Sequence, residues 1–185
     1  MSEEVSIFHT NNFYLNGKLI YKYLVSLPLD YDKKQDQKWP LIVAMTGRDA
    51  CGDNIEQVKR TGIPRMLTVF VKWRNNKLGP DDIMKDDWKP KPSQWGLDPS
   101  KKPPKPVRLE VAKFIAENFI TVCPQAGKYE YDPDLLSKFT ENVANTYRVD
   151  KDRIYMTGLS YGGYYTRETA MAHPHQFAAL APICG

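Results

Sequence analysis

The sequence predicts an α/β chain built on a mostly parallel central sheet with helices on both faces, preceded by an antiparallel ribbon. Three observations carry this. Short runs that are apolar at every position recur along the chain, as strands buried on both faces require. Helical patterns separate them, giving the strand–helix–strand order of a parallel sheet. The N-terminal region instead alternates, around an Asn16-Gly17 turn signal.

Taken in order, Val5–Leu27 reads as the antiparallel ribbon, with Lys18–Leu27 rich in aromatic and β-branched residues. Pro40–Met45 is a continuous apolar run ending in Thr46-Gly47, a central strand, and Asp53–Arg60 follows as a short helix. Asn118–Cys123 is a second buried strand, stopped by Pro124. Asp132-Pro133 supplies a helix N-cap with proline at the first helical position. Leu135, Leu136, Phe139, Val143, Ala144 and Tyr147 then fall at helical spacing. Arg153–Thr157 is a third strand, running into Gly158. A helix is expected from Tyr161 to about Ala172, and a last strand over Phe177–Ile183. Between Trp73 and Pro106 lie seven of the fourteen prolines and three of the four tryptophans. Proline keeps the residue before it out of helix, so positions 73–106 read as an irregular surface insertion in a single domain, residues 1–185. A flap over a substrate pocket is the alternative for that segment.

Composition narrows the function. With 42% apolar and 26% charged residues and a net charge of +4, this is an ordinary globular chain without the dense basic face of a nucleic-acid binder. The N-terminus lacks a basic segment followed by an apolar run, and no apolar stretch reaches the ~20 residues of a membrane helix. A cytoplasmic location is expected. Cys51, Cys123 and Cys184 fit neither a metal pair nor a disulfide framework.

The chemistry centres on Gly158-Leu159-Ser160-Tyr161-Gly162. Gly-x-Ser-x-Gly is a weak signal alone, but here it lies between a predicted strand and a predicted helix, the context that strains the turn and exposes the serine oxygen. Side chains at 158 or 162 would collide with neighbouring backbone in so sharp a turn. Ser160 is the candidate nucleophile, and the Tyr161 amide at the helix start is one donor to an oxyanion. The loop Thr46-Gly47-Arg48-Asp49 offers the Arg48 amide as the second, although an ordinary strand-to-helix turn is an equal reading of it. Asp49 would oppose an oxyanion if its carboxylate turned inward.

Val149–Tyr164, read as a whole, resembles the elbow segment of carboxylesterases related to polyhydroxybutyrate depolymerase and feruloyl esterase, within the α/β-hydrolase superfamily. His173-Pro174 with Phe177–Gly185, Leu27-Pro28 with Tyr31-Asp32, Trp39–Val43, and Gly52–Asn54 with Val58–Arg60 are similar too. The resemblance implies an α/β-hydrolase fold and hydrolysis of small carboxylic esters by a Ser-His-Asp triad without a cofactor. It also implies that the last strands, and the triad's Asp and His, lie beyond Gly185. His173 and His175 are 13 and 15 residues past Ser160 across a helix, on the order of 20 Å away, and His9 lies in the ribbon. A truncated esterase, a non-catalytic hydrolase-like fragment and a peptidase of the same fold all remain open here. In each case the Phe177–Ile183 strand is expected to leave an edge open to self-association.

Overall fold

The computed structural model describes residues 7–75, 108–127 and 131–185. Its six strands are β1 (Phe8–Leu15), β2 (Lys18–Ser26), β3 (Trp39–Met45), β4 (Ile120–Gln125), β5 (Val149–Leu159) and β6 (Ala179–Ile183). They form one sheet in the order β1-β2-β4-β3-β5-β6. β1 and β2 pair antiparallel through the Asn16-Gly17 turn, where both residues have positive φ (50° and 77°), as the favoured two-residue hairpin turn requires. β2 joins β4 antiparallel, and β4, β3, β5 and β6 run parallel.

Alternation along β3 explains why its sequence is apolar throughout. Leu41, Val43 and Met45 enter one core, Ile42 and Ala44 the other. The first core is closed by α3 (Pro133–Thr146) and α4 (Tyr161–Ala172). Phe139 of α3 sits at its centre, with ring centroids of Phe13, Tyr21 and Tyr23 at 5.7, 5.8 and 5.0 Å, edge-on in each case. The second core lies under α1 (Gly62–Arg74) and α2 (Leu109–Asn118). The cap expected at Asp132 is present, its carboxylate accepting the Leu135 N–H at 2.8 Å.

Several boundaries differ from the sequence reading. Pro124 does not stop β4; it pairs with Tyr23 of β2. The β3 ladder reaches only Val122, so Pro124 has a single strand neighbour and its missing N–H is tolerated as on an edge strand. Asp53–Arg60 forms a six-residue 3-10 segment, Ile55–Arg60, capped by Asn54. Helix α1 then begins at Gly62 (φ 59°) with Pro64 in its first turn, where no intrahelical donor is needed. Trp73 belongs to this helix, its ring 6.1 Å from that of Phe70, and not to an irregular insertion. The rest of the insertion, 76–106, lies outside the described residues. Asn118 ends α2 rather than opening β4, and β6 starts at Ala179 rather than Phe177.

Candidate functional site

The C-terminal ends of β3 and β5 come together at one turn. β5 ends at Leu159, α4 begins at Tyr161, and Ser160 alone joins them. Ser160 has φ 54° and ψ −117°, a conformation that side chains disfavour and that costs on the order of 1–3 kcal/mol. Its amide donates to the Ile183 carbonyl of β6 at 2.8 Å, and its carbonyl accepts from Tyr164 N–H at 2.9 Å. The hydroxyl caps no amide of α4, and the residue is exposed. A helix-capping role for Ser160 is therefore excluded by geometry, and its oxygen is open to a reactant.

Glycines make this turn possible by proximity. A Cβ on Gly158 would lie 2.5 Å from the Gly162 backbone and 2.7 Å from the Met45 Cβ. One on Gly162 would lie 2.7 Å from the carbonyl oxygens of both Met45 and Thr46. The end of β3 thus packs directly against the first turn of α4. Gly163 is equally constrained, since its Cβ would meet the Ile183 oxygen at 2.6 Å.

Tyr161, as the first residue of α4, has an amide without an acceptor one turn back. Its ring is held by Tyr165 (centroids 5.0 Å) and Tyr131 (6.0 Å). Burial, then a hydrogen bond with Tyr165, pushes its phenol up to about 12, so it stays neutral at physiological pH. Tyr131 is fixed in turn: its hydroxyl donates to the Pro124 carbonyl at 3.0 Å and lies 3.3 Å from Thr46 Oγ1. Tyr165 falls four residues after Tyr161 on the expected helix, but sequence spacing gives no hint of Tyr131, which arrives from the entrance to α3.

Arg48 opens a short 3-10 turn, Arg48–Ala50, after Gly47. Gly47 itself is buried beside the site, its would-be Cβ 3.7 Å from the Leu159 carbonyl. The Arg48 guanidinium lies over the Tyr161 ring, 5.2 Å from its centroid. Asp49 is exposed and its Oδ1 is 2.9 Å from that same Gly47 position, folded back over its own loop.

The histidines are elsewhere. His173 caps the end of α4, about 20 Å along the helix from Ser160, with Nε2 2.9 Å from Asp134 Oδ1. His175 follows it, exposed, and His9 lies on β1, four strand spacings or about 19 Å from β5. A cavity of about 630 Å³ between α3 and the end of α4 is lined by Ser137, Glu141, Lys151 and His173 among others. It touches neither Ser160 nor the Arg48 loop, so its position at the far end of α4 separates it from this chemistry.

Strain at Ser160 predicts a stability gain on its removal. Ser160→Gly should raise stability relative to Ser160→Ala by about 1 kcal/mol, since glycine adopts this φ without penalty. Urea unfolding of the two variants measures the difference; equal midpoints would mean that the turn stores no strain.

Residues 122–185, which hold β4 to β6 and Ser160, match the model of the prolyl oligopeptidase family. Over 50 residues the chain is 36% identical to the poly(3-hydroxyalkanoate) depolymerase C of Paucimonas lemoignei, covering 27% of this chain and 12% of that protein. Among solved structures it is similar to a thermostable esterase, with a TM-score of 0.60 at 21% identity, covering 97% of this chain and 41% of the other. A ferulic acid esterase gives a TM-score of 0.56 at 17% identity, over 94% of this chain and 58% of that one. The chain therefore spans about half or less of the relatives it matches. The strand order, the turn at Ser160 and these likenesses agree on one conclusion: this chain has the α/β-hydrolase fold.

Proposed function

We propose that the chain carries the nucleophile half of a serine hydrolase that cleaves small carboxylic esters through an acyl-enzyme. The observation that carries this is Ser160: a serine at positive φ between a parallel strand and a helix, exposed, with its hydroxyl unused by the helix. In this reading the segment is a nucleophile elbow, with Gly158 and Gly162 allowing the close approach of β3. The Ser160 oxygen attacks the ester carbonyl carbon, and the amides of Tyr161 and Arg48 stabilise the oxyanion. Deprotonation of Ser160 needs a base within hydrogen-bond reach, and the three histidines lie far from it. The base and its carboxylate partner are assigned to polypeptide outside these 185 residues. The three cysteines are unpaired, which suits a reducing compartment, and a cytoplasmic location goes with the reading.

The test uses the protein as its gene encodes it, labelled with a fluorophosphonate and digested for mass spectrometry. Modification at Ser160, with p-nitrophenyl ester turnover lost in Ser160→Ala, is the expected result. Modification elsewhere, or turnover that survives the substitution, would overturn the assignment. A peptidase is the second reading, favoured by the prolyl oligopeptidase match over 122–185. Acyl transfer at serine serves both, so the ester and the anilide of one acyl group separate them: preferential anilide cleavage would replace the esterase reading.

The reading also includes self-association through β6. All five of its residues are exposed, among the described residues it pairs only with β5, and no charge interrupts Ala179–Ile183. Free strand edges recruit other chains. Light scattering on the purified 185-residue chain should give a mass above that of a monomer, and a monodisperse monomer would refute the pairing.

A further inference from the structure

We infer that the Arg48 side chain is a specificity group, selecting substrates that carry a carboxylate near the scissile bond. The inference rests on the hydrolase reading for the word substrate, but its geometry stands apart from it. Arg48 sits on the loop that packs against the Ser160 turn, and its guanidinium lies over the ring of Tyr161, the residue next to Ser160. That ring is braced by Tyr165 and Tyr131, so the arginine rests on a fixed platform rather than swinging in solvent. Its guanidinium donates no hydrogen bond among the described residues, so its N–H donors are unspent. Among the described residues no carboxylate forms an ion pair with it, although Asp49 is its chain neighbour. Asp49 is turned back over Gly47 instead. An exposed guanidinium, oriented by an aromatic ring and without a protein anion, presents the planar fork that matches a carboxylate in two parallel hydrogen bonds. Placed beside Ser160, it would draw in half-esters and other acidic esters over neutral ones.

Equilibrium binding tests this without requiring turnover. Benzoate and benzamide, alike in shape and different in charge, are titrated into the 185-residue chain while backbone amide resonances are followed by NMR. Benzoate should shift the amides of Arg48 and Tyr161 and bind more tightly than benzamide. Arg48→Gln should weaken benzoate about tenfold, the worth of a charge-assisted hydrogen bond, and leave benzamide unchanged. Arg48→Lys, which keeps the charge and loses the fork, should fall between. Asp49→Asn should strengthen benzoate binding by removing a like charge. Equal affinity for the two ligands, or benzoate binding unaltered in Arg48→Gln, would overturn the inference. Failure of the Ser160 labelling test with the benzoate results intact would remove the hydrolase reading and leave the carboxylate site standing.

Discussion

A single methyl group added at position 162 should destabilise the fold by about 4 kcal/mol or more, at the extreme of what point substitutions do. Taken as a residue in a helix, Gly162 invites the opposite expectation, because alanine is favoured over glycine there by roughly 1 kcal/mol. Packing reverses the sign. The added Cβ would fall 2.7 Å from the carbonyl oxygens of Met45 and Thr46 and 2.8 Å from the Met45 carbonyl carbon. All three are backbone atoms at or just past the end of β3, a strand buried at every residue that pairs on both sides with β4 and β5. None can move without shifting the ladder. Gly127→Ala supplies the control, since among the described residues nothing lies within 4 Å of a Cβ there and its φ is ordinary; its stability should change by less than about 1 kcal/mol. Chemical denaturation of both variants against the parent decides it. A Gly162→Ala protein as stable as the Gly127→Ala protein would show that the β3–α4 contact is looser than the geometry states.

The second large effect concerns rate. Purified as 185 residues, the chain should turn over a p-nitrophenyl ester on the order of 10⁶-fold more slowly than a complete serine hydrolase. Loss of the histidine alone costs about as much as loss of a whole triad, because nucleophile and base act as one unit. Here His173 is committed to Asp134 at the far end of α4, and His9 and His175 are no closer in function. Ser160→Ala should consequently change the residual rate little in this chain, and abolish turnover wherever a base is supplied to Ser160. Robust hydrolysis by the 185-residue chain, eliminated by Ser160→Ala, would reveal a base among these residues and refute the assignment of that role to polypeptide outside them.

Much of this architecture is legible in the residues because it follows from local rules. Asn16-Gly17 marks the ribbon turn, the unbroken Pro40–Met45 run marks a strand facing two cores, and Asp132-Pro133 marks the start of α3. Glycines flanking Ser160, placed after a strand, point to the turn at positive φ. What escapes is set by tertiary context. Helix α1 is absent from the sequence reading; it opens on Gly62 and carries Pro64 in its first turn, where proline is tolerated. Pro124 reads as a terminator only if β4 is assumed to have partners along its whole length. Tyr131 lies 30 residues before Tyr161 and reaches it only because α3 and α4 share one face of the sheet. No spacing rule links positions brought together in that way.

The hydrogen bond from the Ser160 amide to the Ile183 carbonyl has a mechanical meaning. It ties the strained turn at Ser160 to β6, the least covered strand of the sheet. Regions with exposed residues and few buried contacts open at low free energy. When β6 frays, the turn loses the restraint that helps hold φ at 54° and can relax, taking the hydroxyl out of line. Clamping β6 from its open side would do the reverse and stiffen the turn. The conformation at Ser160 is therefore coupled to whatever occupies the sheet edge one strand away.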